Sequence, residues 1–388
     1  MTEFRPFQHR TVPMSEQFRS MEEHTSLPYD VGTVDPYTRA RVLLMVAIER
    51  SSVLAKHHMA RSTDHDSVKK HLAVIRRAES LQLQSLGSLI PADETPLETA
   101  IGLEQMTVDL TANLAQNEAD DYFKQVLDFA LLEDLDHLFR FSLLYEMAEG
   151  GDAELMTRGR TPIMAGRPTA VQHRHPVDEL RAHFDLGEVP LRTLMNLFTI
   201  TSVEQEKMLF YQNAVRAYPE QLIRRLFGEI ADVEEQHLSQ YEALGDPHIT
   251  PMEQLVLIEL NEAYNYFSAA QAEADPAVRR LYGELMGQEL EHFQLAVALL
   301  ERVEGRDASE LLGEAVVPSL IELRPNMDYI EAVLATQADL QPFDGEFIPE
   351  ERLPADWPSF AFRERMNGRG SSADEVERRM PRERMPPS

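Results

Sequence analysis

Four acids of this chain, Glu49, Glu79, Glu104 and Asp134, recur 155 residues later as Glu204, Glu234, Glu259 and Glu289. In each copy the first and second acids, and the third and fourth, stand 30 apart (79 − 49, 134 − 104, 234 − 204, 289 − 259), and the halves of a copy are offset by 55 (104 − 49, 259 − 204). Acids make up 66 of 388 residues, so any single match is unremarkable; flanking identities in the same register decide the matter. Thr95-Pro96-Leu97-Glu98 is answered by Thr250-Pro251-Met252-Glu253, and Ala115-Gln116-Asn117-Glu118-Ala119-Asp120 by Ala270-Gln271-Ala272-Glu273-Ala274-Asp275. The chain is a tandem duplication, and a repeat constrains architecture before anything else does. At 1.5 Å of rise per residue, a 30-residue step across a short turn returns the chain to the same height on an antiparallel neighbour. Each copy is therefore two related helical hairpins whose four acids share one layer.

The pattern predicts helices at about 36–61, 64–88, 96–115 and 120–148, then 190–217, 219–244, 251–273 and 276–304. Thr95 and Thr250 read as N-caps, each with proline at the first helical position and Glu98 or Glu253 three residues on, a capping box. Asp120 and Asp275 read as N-caps too. The expected fold is all-α, two tandem four-helix bundles: an N-terminal extension 1–35, a first bundle 36–148, a connector 149–189, a second bundle 190–304 and a C-terminal extension 305–366. A tail, 367–388, has the composition of disorder. Short helices are expected at 177–185, 308–316 and 326–338, and no long alternating β pattern is present.

Composition narrows the function. The longest apolar run, Val42 to Ile48, is far too short to span a bilayer, and Phe4-Arg5-Pro6-Phe7-Gln8-His9-Arg10 stands where a signal peptide needs an apolar stretch, so a cytoplasmic protein is expected. A net charge of −29 repels nucleic acid and anionic membrane. The absence of cysteine removes disulfides, thiolate zinc sites, iron–sulfur clusters and a thiol nucleophile, leaving oxygen and nitrogen ligands for any redox chemistry.

The second copy carries the chemistry. Its second and fourth acids are each followed three residues on by histidine, giving Glu234-x-x-His237 and Glu289-x-x-His292, beside lone Glu204 and Glu259. Residues i and i+3 share a helix face, so each pair points inward together. Lone Glu from two helices and Glu-x-x-His from the other two is the ligand pattern of a di-metal carboxylate site in a four-helix bundle, and bound cations relieve the cost of clustering acids in an apolar core. Glu262, one turn after Glu259, is either a seventh ligand or the ion-pair partner of Lys207. Tyr211 and Tyr266, seven residues after a lone Glu, either hydrogen-bond a ligand carboxylate or relay an electron, or simply pack in the core. Tyr211, Tyr266 and Lys207 are the candidate catalytic residues beside the ligands Glu204, Glu234, His237, Glu259, Glu262, Glu289 and His292.

These residues resemble the rubrerythrin branch of the ferritin-like superfamily, over about 190–304 and more faintly over the first copy. The resemblance implies two ferritin-like bundles and a carboxylate-bridged centre of two iron ions, or manganese, with Glu234 and Glu289 bridging. It implies reaction with dioxygen or peroxide, and, because the chain lacks the family's cysteine-ligated rubredoxin iron, an external electron donor. A homo-oligomer is compatible with it. The first copy (Glu49, Glu79, Gln82, Glu104, Asp134, His137) reads as degenerate: Gln82 replaces a histidine, Thr107 stands for Glu262, and Lys56, or Arg76, supplies a buried cation in place of metal. His57, His58, His65 and His71 read as surface residues, and His173 and His175 as no site. The leading function is a non-haem di-iron oxidoreductase; alternatives are an iron-binding, ferroxidase or storage protein, a catalase-like peroxide-disproportionating enzyme, or a scaffold.

Overall fold

In the computed structural model, which describes residues 3–178, 180–181 and 183–379, the capping boxes at Thr95 and Thr250 both form. Each threonine accepts a hydrogen bond from the N–H of the glutamate three residues on, and Glu98 and Glu253 return the bond at 2.8 Å. The hydroxyls then donate to Glu149 (2.9 Å) and Glu304 (2.7 Å), one contact repeated 155 residues apart (304 − 149). The helices ending at those glutamates stop on Gly150 and Gly305, at φ 68° and 67°, the left-handed conformation in which a side chain is strained.

The long helices are α1 (Pro36–Ser62), α2 (Asp66–Gly87), α3 (Pro96–Asn117), α4 (Asp121–Glu149), α5 (Leu191–Ala214), α6 (Gln221–Glu242), α7 (Pro251–Ala272) and α8 (Pro276–Glu304), each within a turn of expectation. Strands are short antiparallel pairs, Glu3–Phe4 with Val317–Pro318 and Leu340–Phe343 with Glu346–Pro349. Helices Ala308–Leu312 and Met327–Gln337 also form. No helix among the described residues is long and apolar enough to cross a membrane.

Two flanking expectations fail. The described residues of 177–185 are turn or irregular, because Val177 and Leu180 stay exposed and no apolar face is buried to hold a helix. The tail is not uniformly disordered: Ser372–Arg379 is helical, with Ala373 and Val376 fully buried and Glu377 paired with Arg140. Residues 380–388 of that expected tail lie outside the described residues.

The larger departure is in which hairpins pack together. One compact unit, unit 1, comprises the chain up to Ala92 with Phe184–Val203 and Asp246–Glu322; the other, unit 2, comprises Asp93–His183, Glu204–Gly245 and the chain from Leu323 onward. In unit 1 the α1–α2 hairpin therefore packs with α7–α8, and in unit 2 the α3–α4 hairpin packs with α6 and the part of α5 from Glu204 on. The copies have exchanged hairpins, so 36–148 and 190–304 are not the packing units. One buried contact in unit 1 joins the exchanged hairpins. Glu273, the C-cap of α7, is buried against α1, where it accepts hydrogen bonds from Thr38 Oγ1 (2.6 Å) and Arg41 Nε (2.9 Å). In unit 2, Val108, Ala112, Leu131, Leu132 and Leu135 of α3 and α4 form a core with Ile330 and Val333 of Met327–Gln337.

Candidate metal centres

Because the hairpins are exchanged, acids from both copies meet in each unit. In unit 2, Glu104 of α3, Asp134 and His137 of α4, Glu204 of α5, and Glu234 and His237 of α6 converge, each 0 % exposed. They form two overlapping donor groups, Glu104–Asp134–His137–Glu234 and Asp134–Glu204–Glu234–His237; in each, one ligating atom per residue lies within 4.8 Å of all the others. Asp134 and Glu234 belong to both groups.

The orientation of the histidines is fixed from outside the cluster. His237 Nε2 is 2.8 Å from Glu133 Oε2, and a carboxylate only accepts, so Nε2 carries the hydrogen and Nδ1 faces the acids. His137 Nε2 is 2.8 Å from Gln172 Oε1, and the Gln172 amide is oriented by its own donation to the Arg167 carbonyl at 2.6 Å. A histidine whose outer N–H is held by such an acceptor turns its other nitrogen inward, the usual arrangement of an imidazole that ligates a metal once that nitrogen gives up its proton. His137 Nδ1 lies 3.0 Å and His237 Nδ1 3.2 Å from Glu234 oxygens, yet neither nitrogen has hydrogen-bond geometry.

The oxygens are equally bare. Both of Glu204 and both of Glu234, with Glu104 Oε2 and Asp134 Oδ2, accept no hydrogen bond although fully buried. Burial pushes Glu104 up to about 8 and Glu204 up to about 7, against the pull of Lys207. Glu234 goes the other way: burial opposes its ionisation, but Lys207 and His137 outweigh it and hold it well below the usual carboxylate range. Burial opposes protonation of His137, but Glu234 and Glu104 outweigh it and push it up to about 9. Buried carboxylates are expensive unless cations meet them; Lys207 meets part of that need, and carboxylates with imidazole suit divalent metals of the first transition row. The unit 2 residues could hold a metal ion.

Unit 1 gathers Glu49, Glu79, Gln82, Glu259, Glu262, Glu289 and His292, all buried. Its donor group is Glu79–Glu259–Glu289–His292. His292 is likewise held from outside, with Nε2 2.8 Å from Gln17 Oε1, whose amide donates to the Val12 carbonyl, but unlike the unit 2 histidines its Nδ1 hydrogen-bonds Glu289 Oε2 at 3.0 Å. Gln82 points its amide at Gln288 Oε1 (3.0 Å).

The seven ligands expected to meet in one site are thus divided. Glu204, Glu234 and His237 lie in unit 2, and Glu259, Glu262, Glu289 and His292 in unit 1. Glu262 is an ion-pair member, but its partners are Lys56 (3.2 Å) and Ser52 (2.8 Å), whereas Lys207 sits among the unit 2 acids. The first copy is not a spare either, since its Glu104, Asp134 and His137 complete the unit 2 set and Glu79 joins the unit 1 group. Thr107 bonds the Leu103 carbonyl and is no ligand. Lys56 is the buried cation anticipated there, while Arg76 donates to the Lys56 carbonyl at 3.2 Å. His57, His58 and His65 are exposed and His71 half-buried; His173 is buried, 3.5 Å from both Glu229 and Asp232. The outer residues Glu133, Gln172, Arg167, Arg174 and Gln17 escaped sequence reasoning. Only the doubled acid Glu133-Asp134 and the arginines of the connector hinted at them.

Both tyrosines touch centre carboxylates, though not those of their own copy. Tyr211 donates to Glu104 Oε1 and Tyr266 to Glu49 Oε1, each at 2.5 Å. Tyr211→Phe and Tyr266→Phe should each cost about 1–3 kcal/mol in metal-free protein, by leaving a buried acceptor without its donor. Denaturant unfolding measures this, and unchanged midpoints would show both hydroxyls idle.

Comparison of this chain with protein-family models, curated protein sequences and solved structures finds no match, so the likeness to ferritin-like proteins is carried by these residues alone.

Proposed function

We propose that the protein is a non-haem iron oxidoreductase built on two ferritin-like four-helix bundles, with manganese as the alternative metal, and that its unit 2 centre works on dioxygen or peroxide. One observation carries the reading: two donor groups share Asp134 and Glu234, and each is completed by a histidine whose Nδ1 is aimed inward by an outer acceptor. Glu104 with His137 would hold one side of the centre, Glu204 with His237 the other, and Asp134 and Glu234 would lie between. When bound, the metal supplies Lewis acidity and one-electron redox.

The chain's own residues do the rest. Glu133 and Gln172 keep the imidazoles turned inward, and Tyr211 steadies Glu104. All six donors are 0 % exposed, so water is excluded and a small oxidant suits the centre better than a bulky organic substrate. A chain without cysteine holds no thiol pair or rubredoxin-type iron, so reducing equivalents come from an external donor. A second reading, a metal-free structural ion network, is favoured by the lysine buried inside each cluster.

Metal analysis of the purified protein, with an optical spectrum before and after peroxide, tests the proposal. Bound iron or manganese is expected, and His137→Ala and His237→Ala should each lower it. Iron-loaded reduced protein should develop near-ultraviolet absorption once with peroxide and then stop unless a donor is supplied. Full metal retention in both variants sinks the ligand assignment, and no metal at all supports the structural network. Iron far beyond the donor sets indicates storage, and continuous peroxide removal without a donor indicates disproportionation.

A further inference from the structure

Each cluster encloses an ammonium. In unit 2 Lys207 Nζ lies 2.6 Å from Asp134 Oδ1, 3.0 Å from Glu234 Oε2, 3.2 Å from Glu104 Oε2 and 3.4 Å from Glu204 Oε2, touching all four acids. Its two nearest oxygens belong to Asp134 and Glu234, the residues common to both donor groups. In unit 1 Lys56 Nζ contacts Glu79 and lies 3.0 Å from Glu259 and 3.2 Å from Glu262. Both lysines are 0 % exposed.

Inheritance through the duplication does not explain the coincidence. The repeat partner of Lys207 is Ser52 (207 − 155), and the partner of Lys56 is Tyr211 (56 + 155). The two ammonium groups thus arrive from repeat positions one helical turn apart, on α1 and α5, and each reaches the acids of its own unit. Lysine suits this role because its charge is a compact point at the end of a flexible stem. Yet one ammonium has only three hydrogens to offer, and Glu204 Oε1, Glu234 Oε1 and Asp134 Oδ2 accept no hydrogen bond. Acceptors for a further cation persist, but one oxygen each of Asp134 and Glu234 is already in contact with Lys207.

We propose that Lys207 is a resident cation in one of the two metal positions that the donor groups mark in unit 2, and that Lys56 is its counterpart beside the one donor group of unit 1, so that each unit binds one divalent ion rather than a pair. The proposal rests on the reading of both clusters as metal centres.

The test is manganese(II) bound per folded full-length chain, by equilibrium dialysis and elemental analysis, for wild type, Lys207→Met, Lys56→Met and the double variant. The wild type should bind about two ions per chain, and each lysine removed should raise the count by about one, as a neutral side chain vacates a cation position. An unchanged count in both single variants, with metal bound by the wild type, overturns the lysine proposal and leaves the metal reading standing. Metal in the variants but none in the wild type overturns the proposal of one ion per unit together with the metal reading of the natural protein, leaving the ammonium groups as the sole occupants. No metal in any of the proteins overturns both. A measurement on the unaltered chain covers a variant that does not fold: manganese-loaded wild type should give the paramagnetic resonance of isolated manganese(II), and a spin-coupled pair signal would overturn the proposal.

Discussion

Replacing Glu133 with alanine should lower stability by about 3–5 kcal/mol, as expected when one partner of a buried ion network is removed. Glu133 is 0 % exposed and accepts from Arg174 Nη1 (2.6 Å) and Nη2 (3.1 Å), Arg167 Nη1 (3.2 Å) and His237 Nε2 (2.8 Å). Burial works against its charge, but Arg174, the His237 hydrogen bond and Arg167 outweigh it and hold the carboxyl far below its usual range. Alanine strands two fully buried guanidinium groups, one of which, Arg167, burial already pushes down to about 10. Glu133→Gln separates stability from metal holding: it keeps the volume but exchanges an acceptor-only group for one that turns either way, so His237 loses its enforced orientation. Manganese affinity should fall about 10- to 100-fold, the usual cost of losing the outer partner of a ligating histidine. Urea unfolding and metal titration read the two effects, and wild-type values in both variants would remove Glu133 from any role at the centre.

Local structure was largely legible because its causes are local. Proline behind Thr95 and Thr250, the glutamate three residues on, and acids spaced by 30 specify helix starts and antiparallel return without reference to anything distant. Pairing of hairpins was not legible, for a reason built into the repeat. The α7–α8 hairpin is the repeat equivalent of α3–α4, so it offers α1–α2 the same layer of acids. Spacing alone is blind to which of two equivalent partners is taken. The two hairpins differ at single side chains such as Glu273, which is buried against α1, whereas its repeat partner Glu118 is only half-buried.

The site follows the same division. That these acids and histidines face inward was readable from the i, i+3 arithmetic. Treating each copy as self-contained made Gln82 look like the loss of a histidine from a spare site. Exchange instead brings His137 together with His237 in unit 2 and leaves unit 1 with His292 alone. Lys207 looked like a partner for Glu262, one step along the symmetric pair of helices, and is held by Asp134, in the hairpin of the other copy. The outer partners Glu133, Gln172 and Gln17 carry no spacing signal, because they meet the histidines from another helix, from the connector and from the N-terminal extension.

Hairpin exchange itself is open to a thermodynamic test in solution, on the buried pair of Arg41 and Glu273. Glu273 is 0 % exposed at its side chain and Arg41 6 %, so Glu273→Ala leaves a buried guanidinium uncompensated and should cost about 3–5 kcal/mol. The double variant with Arg41→Ala should cost less than the sum of the singles by more than about 1 kcal/mol, as residues in direct contact do. If each copy packed on itself, Glu118 (273 − 155) would occupy the place of Glu273 beside Arg41. An Arg41→Ala and Glu118→Ala cycle therefore serves as the control, and its effects should add to within about 0.5 kcal/mol. Coupling of Arg41 to Glu118 in place of Glu273 would restore the contiguous bundles. It would also return Glu204, Glu234 and His237 to the company of Glu259, Glu289 and His292, so this one measurement decides which acids can share an ion.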